Sequence, residues 1–252
     1  MTENGMKDVS NPSELFLTDN VLKEPQEGSA VMATSEGSRT LLAEVQCLVT
    51  ANHYSTNSMR PSSPKRTSGG FPIQRLLLLC AVIEKRLRLP LWNRDIFLNI
   101  VGGLTISEPS ADLAVLVSIV SSLLSKPIKV GTAFIGEVGL GGELRNTKKI
   151  EQKIMEAIKL GFRRVIVPKI SIKQQVFDQL LDKASAIKPE IIPCANVFEA
   201  IENGLLLNGK TLLEARHAFR GNKKPKPRND DFSSIEPDFN EHDQLDIDQN
   251  ID

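Results

Sequence analysis

Apolar residues recur at period two over residues 41–51, where Val45, Cys47 and Val49 share one face, and this predicts a strand. Residues 75–89 are strongly apolar and long enough for a buried helix. Residues 95–101 read as a β-rich strand that stops at Gly102-Gly103. Residues 111–124 predict an apolar helix with small residues on one side. Residues 130–138 predict a strand, and residues 143–146 pair back on it after a reversal that glycine permits. Ile150, Ile154, Ala157 and Ile158 fall on one face of a helix that Gly161 ends. A short buried strand over 163–168, a helix over 171–183, a strand over 190–193, a short helix over 197–203 and a last helix over 211–219 complete the pattern. Residues 1–24 are polar and broken by Asn11-Pro12, so they read as a leading segment outside the core. Residues 52–70 are rich in Ser, Pro, Asn and Arg and predict an exposed loop. Helices alternate with strands, so the fold class is α/β or α+β.

Composition changes this picture in two places. The charge is balanced overall, with 31 Lys and Arg against 31 Asp and Glu, but residues 229–252 hold nine acids and no Lys or Arg, which leaves +9 on residues 1–228. A basic body followed by an acidic stretch suits a polyanionic partner, with the acidic stretch, expected to be disordered, as its competitor. The three cysteines, Cys47, Cys80 and Cys194, are odd in number and far apart, which disfavours a disulfide framework or a C-x-x-C zinc site and fits a reducing cytoplasm. No run of about eighteen apolar residues is present, so no membrane span or membrane partner is expected. His53, His217 and His242 show no metal-ligand spacing.

Two segments carry a resemblance. They are Gly102-Gly103-Leu104-Thr105-Ile106-Ser107-Glu108-Pro109-Ser110-Ala111-Asp112-Leu113-Ala114-Val115 and Gly136-Glu137-Val138-Gly139-Leu140-Gly141-Gly142-Glu143-Leu144-Arg145. Glu27-Gly28-Ser29-Ala30-Val31 with Glu44-Val45-Gln46, and Leu160-Gly161-Phe162-Arg163-Arg164-Val165-Ile166-Val167-Pro168-Lys169, match in the same order. Together they resemble the Lon-type proteolytic domain (ribosomal protein S5 domain 2-like), in the form carried at the C-terminus of RadA-type (Sms) DNA-repair proteins. The resemblance implies three regions. Residues 1–24 would be a linker following an ATPase core, residues 25–205 the Lon-like domain, and residues 206–252 a final helix with a basic-then-acidic tail. It also implies that ATP, Mg and Zn belong to a RecA-like ATPase and a four-cysteine zinc finger that this chain does not include. The chain itself is then expected to bind no cofactor, to hydrolyse no ATP, and to be a truncated or partial member.

Lon-type enzymes hold a serine at a helix start and a neutral lysine beside it. By resemblance Ser110 falls on the serine position, and counting from Gly136-Glu137-Val138 places Glu151 where the lysine belongs. A glutamate cannot act as an amine base, and Lys148 or Lys153 would have to substitute. No peptidase activity is therefore expected, with a Lon-type serine peptidase using Ser110 as the alternative. Gly204-Leu205-Leu206-Leu207-Asn208-Gly209-Lys210-Thr211 fits the P-loop string, but a helix precedes it and three leucines fill the loop. A helix end, a turn and a Thr211–Glu214 capping box account for it. Arg145, Lys148, Lys149, Lys153, Lys159, Arg163, Arg164 and Lys169 form the basic stretch expected to meet DNA phosphates. The resemblance further implies a hexameric ring, a recombinase partner, a role in homologous recombination and branch migration, and a bacterial cytoplasmic or organellar setting.

Overall fold

The computed structural model describes residues 11–37, 39–52, 63–169, 189–209 and 211–221. Nine strands and five helices are named here. The strands are β1 (Ser29–Glu36), β2 (Arg39–Ala51), β3 (Arg66–Gly69), β4 (Arg94–Ile100), β5 (Thr132–Phe134), β6 (Glu137–Val138), β7 (Leu144–Arg145), β8 (Arg164–Pro168) and β9 (Glu190–Cys194). The helices are α1 (Ile73–Val82), α2 (Asp112–Leu124), α3 (Ile150–Lys159), α4 (Val197–Gly204) and α5 (Leu212–Gly221). Seven strands form one sheet in the order β3-β4-β2-β1-β5-β8-β9. The β1/β2 and β2/β4 pairs are antiparallel, and the other four neighbours are parallel. The fold is therefore α/β with a mainly parallel sheet.

Side-chain alternation places a core on each face of the central strands. Ala30, Met32, Phe134 and Ile166 point to one face, which α1, α2, α4 and α5 cover. Val31, Ala33, Ala133, Ile135, Val165 and Val167 point to the other, which α3 covers through Ile150, Ile154 and Ala157. Helix α2 lies at the centre, with every residue from Asp112 to Leu124 buried. Its serines fit there because each hydroxyl is bonded. Ser118 donates to the Val115 carbonyl at 2.8 Å, Ser121 to the Lys126 carbonyl at 2.6 Å, and Ser122 accepts from the Val49 amide at 2.9 Å. No helix among the described residues is long and apolar enough to cross a membrane.

The pattern reading needs four corrections. Residues 130–138 are two strands, because the chain leaves the main sheet at Ile135-Gly136 to form the β6–β7 hairpin. The expected loop over 52–70 contains β3, a polar edge strand that pairs parallel with β4 and is tied to it also by the Arg66 guanidinium, which donates to the Arg94 carbonyl. The helix expected over 75–89 ends at Val82, and a π-helical turn, Ile83–Leu87, follows it. The leading segment is packed rather than peripheral. Pro12–Phe16 is a 3-10 turn, Ser13 is fully buried and accepts from the Leu42 amide, and the Glu44 carboxylate accepts from the Thr18 amide at 2.9 Å. The expected helix over 171–183 and the basic-then-acidic tail lie outside the described residues.

Candidate functional site

Ser110 sits in the 3-10 turn Pro109–Ala111 that leads into α2. Pro109 pre-sets the first helical φ, and Glu108 before it is extended, as a residue preceding proline must be. The turn is tied to the β5–β6 connection. The Gly136 amide donates to the Ser110 carbonyl at 3.1 Å, and the Leu113 amide donates to the Gly136 carbonyl at 3.2 Å. One residue on, Asp112 is fully buried and accepts from Arg75 Nε at 2.9 Å, from Arg75 Nη2, and from the Val138 amide at 3.1 Å. Burial pushes the Asp112 carboxyl above its ordinary range, against those bonds. Both carboxylates flank a helix start, where free N–H groups favour negative charge.

The Ser110 hydroxyl is fully buried and donates to the Ala33 carbonyl of β1 at 3.0 Å. Its side chain also bonds the Glu108 carboxylate, so the acceptors around this hydroxyl are a carbonyl and a carboxylate and not a free amine. The lysine near this turn is Lys153. It projects from α3, is fully buried, and forms an ion pair with Glu108 Oε1. Glu108 Oε2 accepts from the Ser35 amide at 2.7 Å and from Thr34 Oγ1 at 3.3 Å. Burial alone would raise the Glu108 carboxyl, but the Lys153 bond and the Ser35 amide outweigh it and hold it below the usual carboxylate range. Burial likewise pulls Lys153 below its ordinary value, with Glu108 opposing. A serine–lysine dyad needs an amine that accepts the serine proton and a path for substrate. Here the amine faces a carboxylate, and neither Ser110 nor Lys153 reaches solvent. Glu151, on the expected base position, is exposed at the start of α3.

The basic stretch does not form one patch. Lys153 is buried, which corrects its expected place among phosphate contacts. Arg145 is ion-paired with Glu143 and Glu137, and Arg164 with Glu190. The remaining five are exposed and divide between two ends. Strands β1, β5 and β8 are parallel, and α3 runs back between β5 and β8. Lys148, Lys149 and Lys169 therefore lie at the C-terminal end of these strands, while Lys159 and Arg163 lie at the other. Lys149 Nζ donates to the Gly37 carbonyl at 3.0 Å, which fastens that end of α3 to the β1–β2 turn and sets exposed Arg39 beside it. Arg39 was not among the expected contacts, because only the sheet brings residue 39 near residue 149.

Among its described residues the P-loop string shows no phosphate cradle. Gly204 closes α4, and Leu205 and Leu207 are buried. The Leu205 and Leu206 amides are already bonded to the Ile201 and Pro127 carbonyls. Asn208 and Gly209 have positive φ and turn the chain, and Thr211 and Glu214 form the reciprocal capping box. Lys210 lies outside the described residues. Among the described residues no group of three or more His, Cys, Asp or Glu is placed to hold a metal.

The family model for subunit ChlI of Mg-chelatase matches residues 81–171, which include Ser110 and Lys153. The chain is 39% identical over 205 residues to a protein named DNA repair protein RadA from Bacillus subtilis (strain 168), covering 81% of this chain and 41% of that protein. It is 40% identical over 183 residues to the protein of that name from Chlamydia muridarum, covering 71% and 38%. For the one from Listeria monocytogenes the values are 42% over 169 residues, covering 67% and 35%. The chain thus spans about two-fifths of the length of these curated relatives.

Proposed function

We propose that this chain is a non-proteolytic, Lon-like domain of a RadA-type DNA-repair protein, which contacts DNA and self-associates instead of cleaving peptides. The observation that carries this reading is the similarity to proteins named DNA repair protein RadA, which reaches across 67% to 81% of the chain. The site geometry supports its non-proteolytic part. The Ser110 hydroxyl faces the Ala33 carbonyl and the Glu108 carboxylate, and Lys153 is committed to Glu108.

The DNA-contacting part rests on the exposed cations at the C-terminal end of the parallel strands. Lys148, Lys149 and Lys169, with Arg39 beside them, are the residues assigned to phosphates, and Glu36 and Glu151 dilute the charge there. Such contacts are indifferent to base sequence, because phosphate is the same at every position. Within a full-length protein the domain would form part of a ring and help hold DNA during homologous recombination and branch migration, beside a recombinase. Fluorescence anisotropy with two unrelated duplexes tests the reading. Equal, salt-sensitive affinity for both is expected. No binding at low salt would leave self-association as the only role, and cleavage of an unfolded casein substrate would replace the reading with the peptidase.

A further inference from the structure

A groove of about 270 Å³ lies between α1 and the β6–β7 hairpin. Its floor is apolar, built from Leu78, Leu79, Val82 and Leu140. Leu78 is 43% exposed and Leu140 64%, with Leu77 at 49% beside them on the outer face of α1. These leucines belong to no core among the described residues. At one end of the groove stands the π-helical turn Ile83–Leu87, which carries exposed Lys85 and Arg86. Arg86 Nε donates to the Leu140 carbonyl at 3.1 Å, so its cation hangs over the groove. Neither Lys85 nor Arg86 has a carboxylate partner among the described residues. The acids nearby are occupied. Glu137 and Glu143 pair with Arg75 and Arg145, and Glu84 accepts from the Leu91 amide.

Helix α5 passes the same turn, since Arg216 Nη1 donates to the Leu87 carbonyl at 3.3 Å. The chain leaves α5 at Gly221 and continues to Asp252. Its sequence complements the groove in kind. Phe232, Ile235 and Phe239 alternate with Asp230, Asp231, Glu236 and Asp238. The basic spacer before them, residues 222–229, spans up to roughly 28 Å when extended. That exceeds the length of α1, about 15 Å at 1.5 Å per residue.

We propose that the acidic and aromatic segment over residues 230–239 docks in cis on this groove, with a phenylalanine on the leucine floor and its carboxylates against Lys85 and Arg86. The inference goes beyond the DNA reading and stands without it. Exposed ion pairs contribute little singly, so the docking depends on the apolar anchor and on the millimolar effective concentration that a short tether provides. The docking is weak and salt-sensitive. It would withdraw Asp230, Asp231, Glu236 and Asp238 from competition at the Lys148–Lys149 end.

The three native cysteines are buried, so Ser233→Cys gives one accessible thiol for a nitroxide spin label on the full chain. At about 50 mM salt, amide broadening is expected at Leu78, Lys85, Arg86 and Leu140, and not at Lys159 or Arg163. It should be lost at about 500 mM salt, where screening is short-ranged. It should also be lost in K85E/R86E and in F232A/F239A, while circular dichroism shows that both variants remain folded. Mixing isotope-labelled chains with unlabelled spin-labelled chains should give no broadening. Broadening centred on Lys148 and Lys149 would overturn the proposal, since the segment would then occupy the proposed DNA face. Broadening in the mixed sample would assign the groove to a second copy. No localised broadening, or broadening that both variants retain, would also refute it.

Discussion

Glu108→Gln removes the one carboxylate that, among the described residues, pairs with Lys153, an ammonium with no exposure to solvent. Breaking a buried ion pair from one side costs about 3–5 kcal/mol, because the other charge is left uncompensated. The lysine has an escape, which is to fold neutral. Discarding its proton at pH 7 costs at most about 4.6 kcal/mol, at 1.36 kcal/mol for each pH unit below an unfolded pKa near 10.4. The sign follows from a lysine whose folded pKa is depressed. The penalty is full at neutral pH and shrinks as pH rises towards the unfolded value, to about 2 kcal/mol at pH 9. Lys153→Met should cost less, about 1–2 kcal/mol, because Glu108 keeps the Ser35 amide and its side chain is 20% exposed. The double variant should then be more stable than Glu108→Gln alone, with a coupling of at least about 1.5 kcal/mol. Urea unfolding followed by circular dichroism at pH 7 and pH 9 measures all of this. A Glu108→Gln variant within about 0.5 kcal/mol of wild type, or a penalty that does not change with pH, would refute the buried-pair argument.

Three further outcomes follow from the same geometry. A fluorophosphonate probe should leave Ser110 unlabelled, and mass spectrometry of the Ser110 peptide checks this; labelling that Ser110→Ala abolishes would revive the peptidase. Gly204→Ala should destabilise the protein by about 1–3 kcal/mol, because a Cβ there would meet the Phe134 ring at 2.6 Å; thermal unfolding reads it, and ATP should shift the melting of neither protein. The Glu44 carboxyl, raised by burial but lowered further by Ser29, Gln46 and Thr18, and the Glu108 carboxyl both lie below their ordinary range. They contribute stability that is present above about pH 4.5 and lost as pH falls through their folded values, so Glu44→Gln should flatten the acid limb of stability measured between about pH 5 and pH 3.

The strands and helices with strong period were legible because burial imposes the period. Ile150, Ile154 and Ala157 announced the inward face of α3, and Lys153 lies on that face, three residues after the first and four before the last. A lysine inside an apolar stripe was thus a readable signal for a buried charge. Counting from a motif pointed instead to Glu151, which α3 turns outward. The partner was not readable, since Glu108 lies forty-five residues away and only the β1–α2–α3 packing joins them. Strand β3 was hidden for a related reason. An edge strand buries few side chains, so Arg66–Gly69 carries no apolar alternation and is held by backbone pairing and by the Arg66 guanidinium on the Arg94 and Leu91 carbonyls. The basic residues between 145 and 169 looked like one patch along the chain. Acids from Glu108, Glu137, Glu143 and Glu190 neutralise three of them, and α3 separates most of the rest by its own length.

The proposed contact of DNA with the Lys148–Lys149 end of the sheet is tested most directly by the dependence of affinity on salt. Each neutralised phosphate contributes about −0.9 to the slope of log affinity against log salt on duplex DNA. Reversing Lys148 and Lys149 to Glu should weaken binding and flatten the slope by about 2, while reversing Lys159 and Arg163 at the opposite end should leave both nearly unchanged. An unmoved titration for K148E/K149E, or a larger loss for K159E/R163E, would contradict the account.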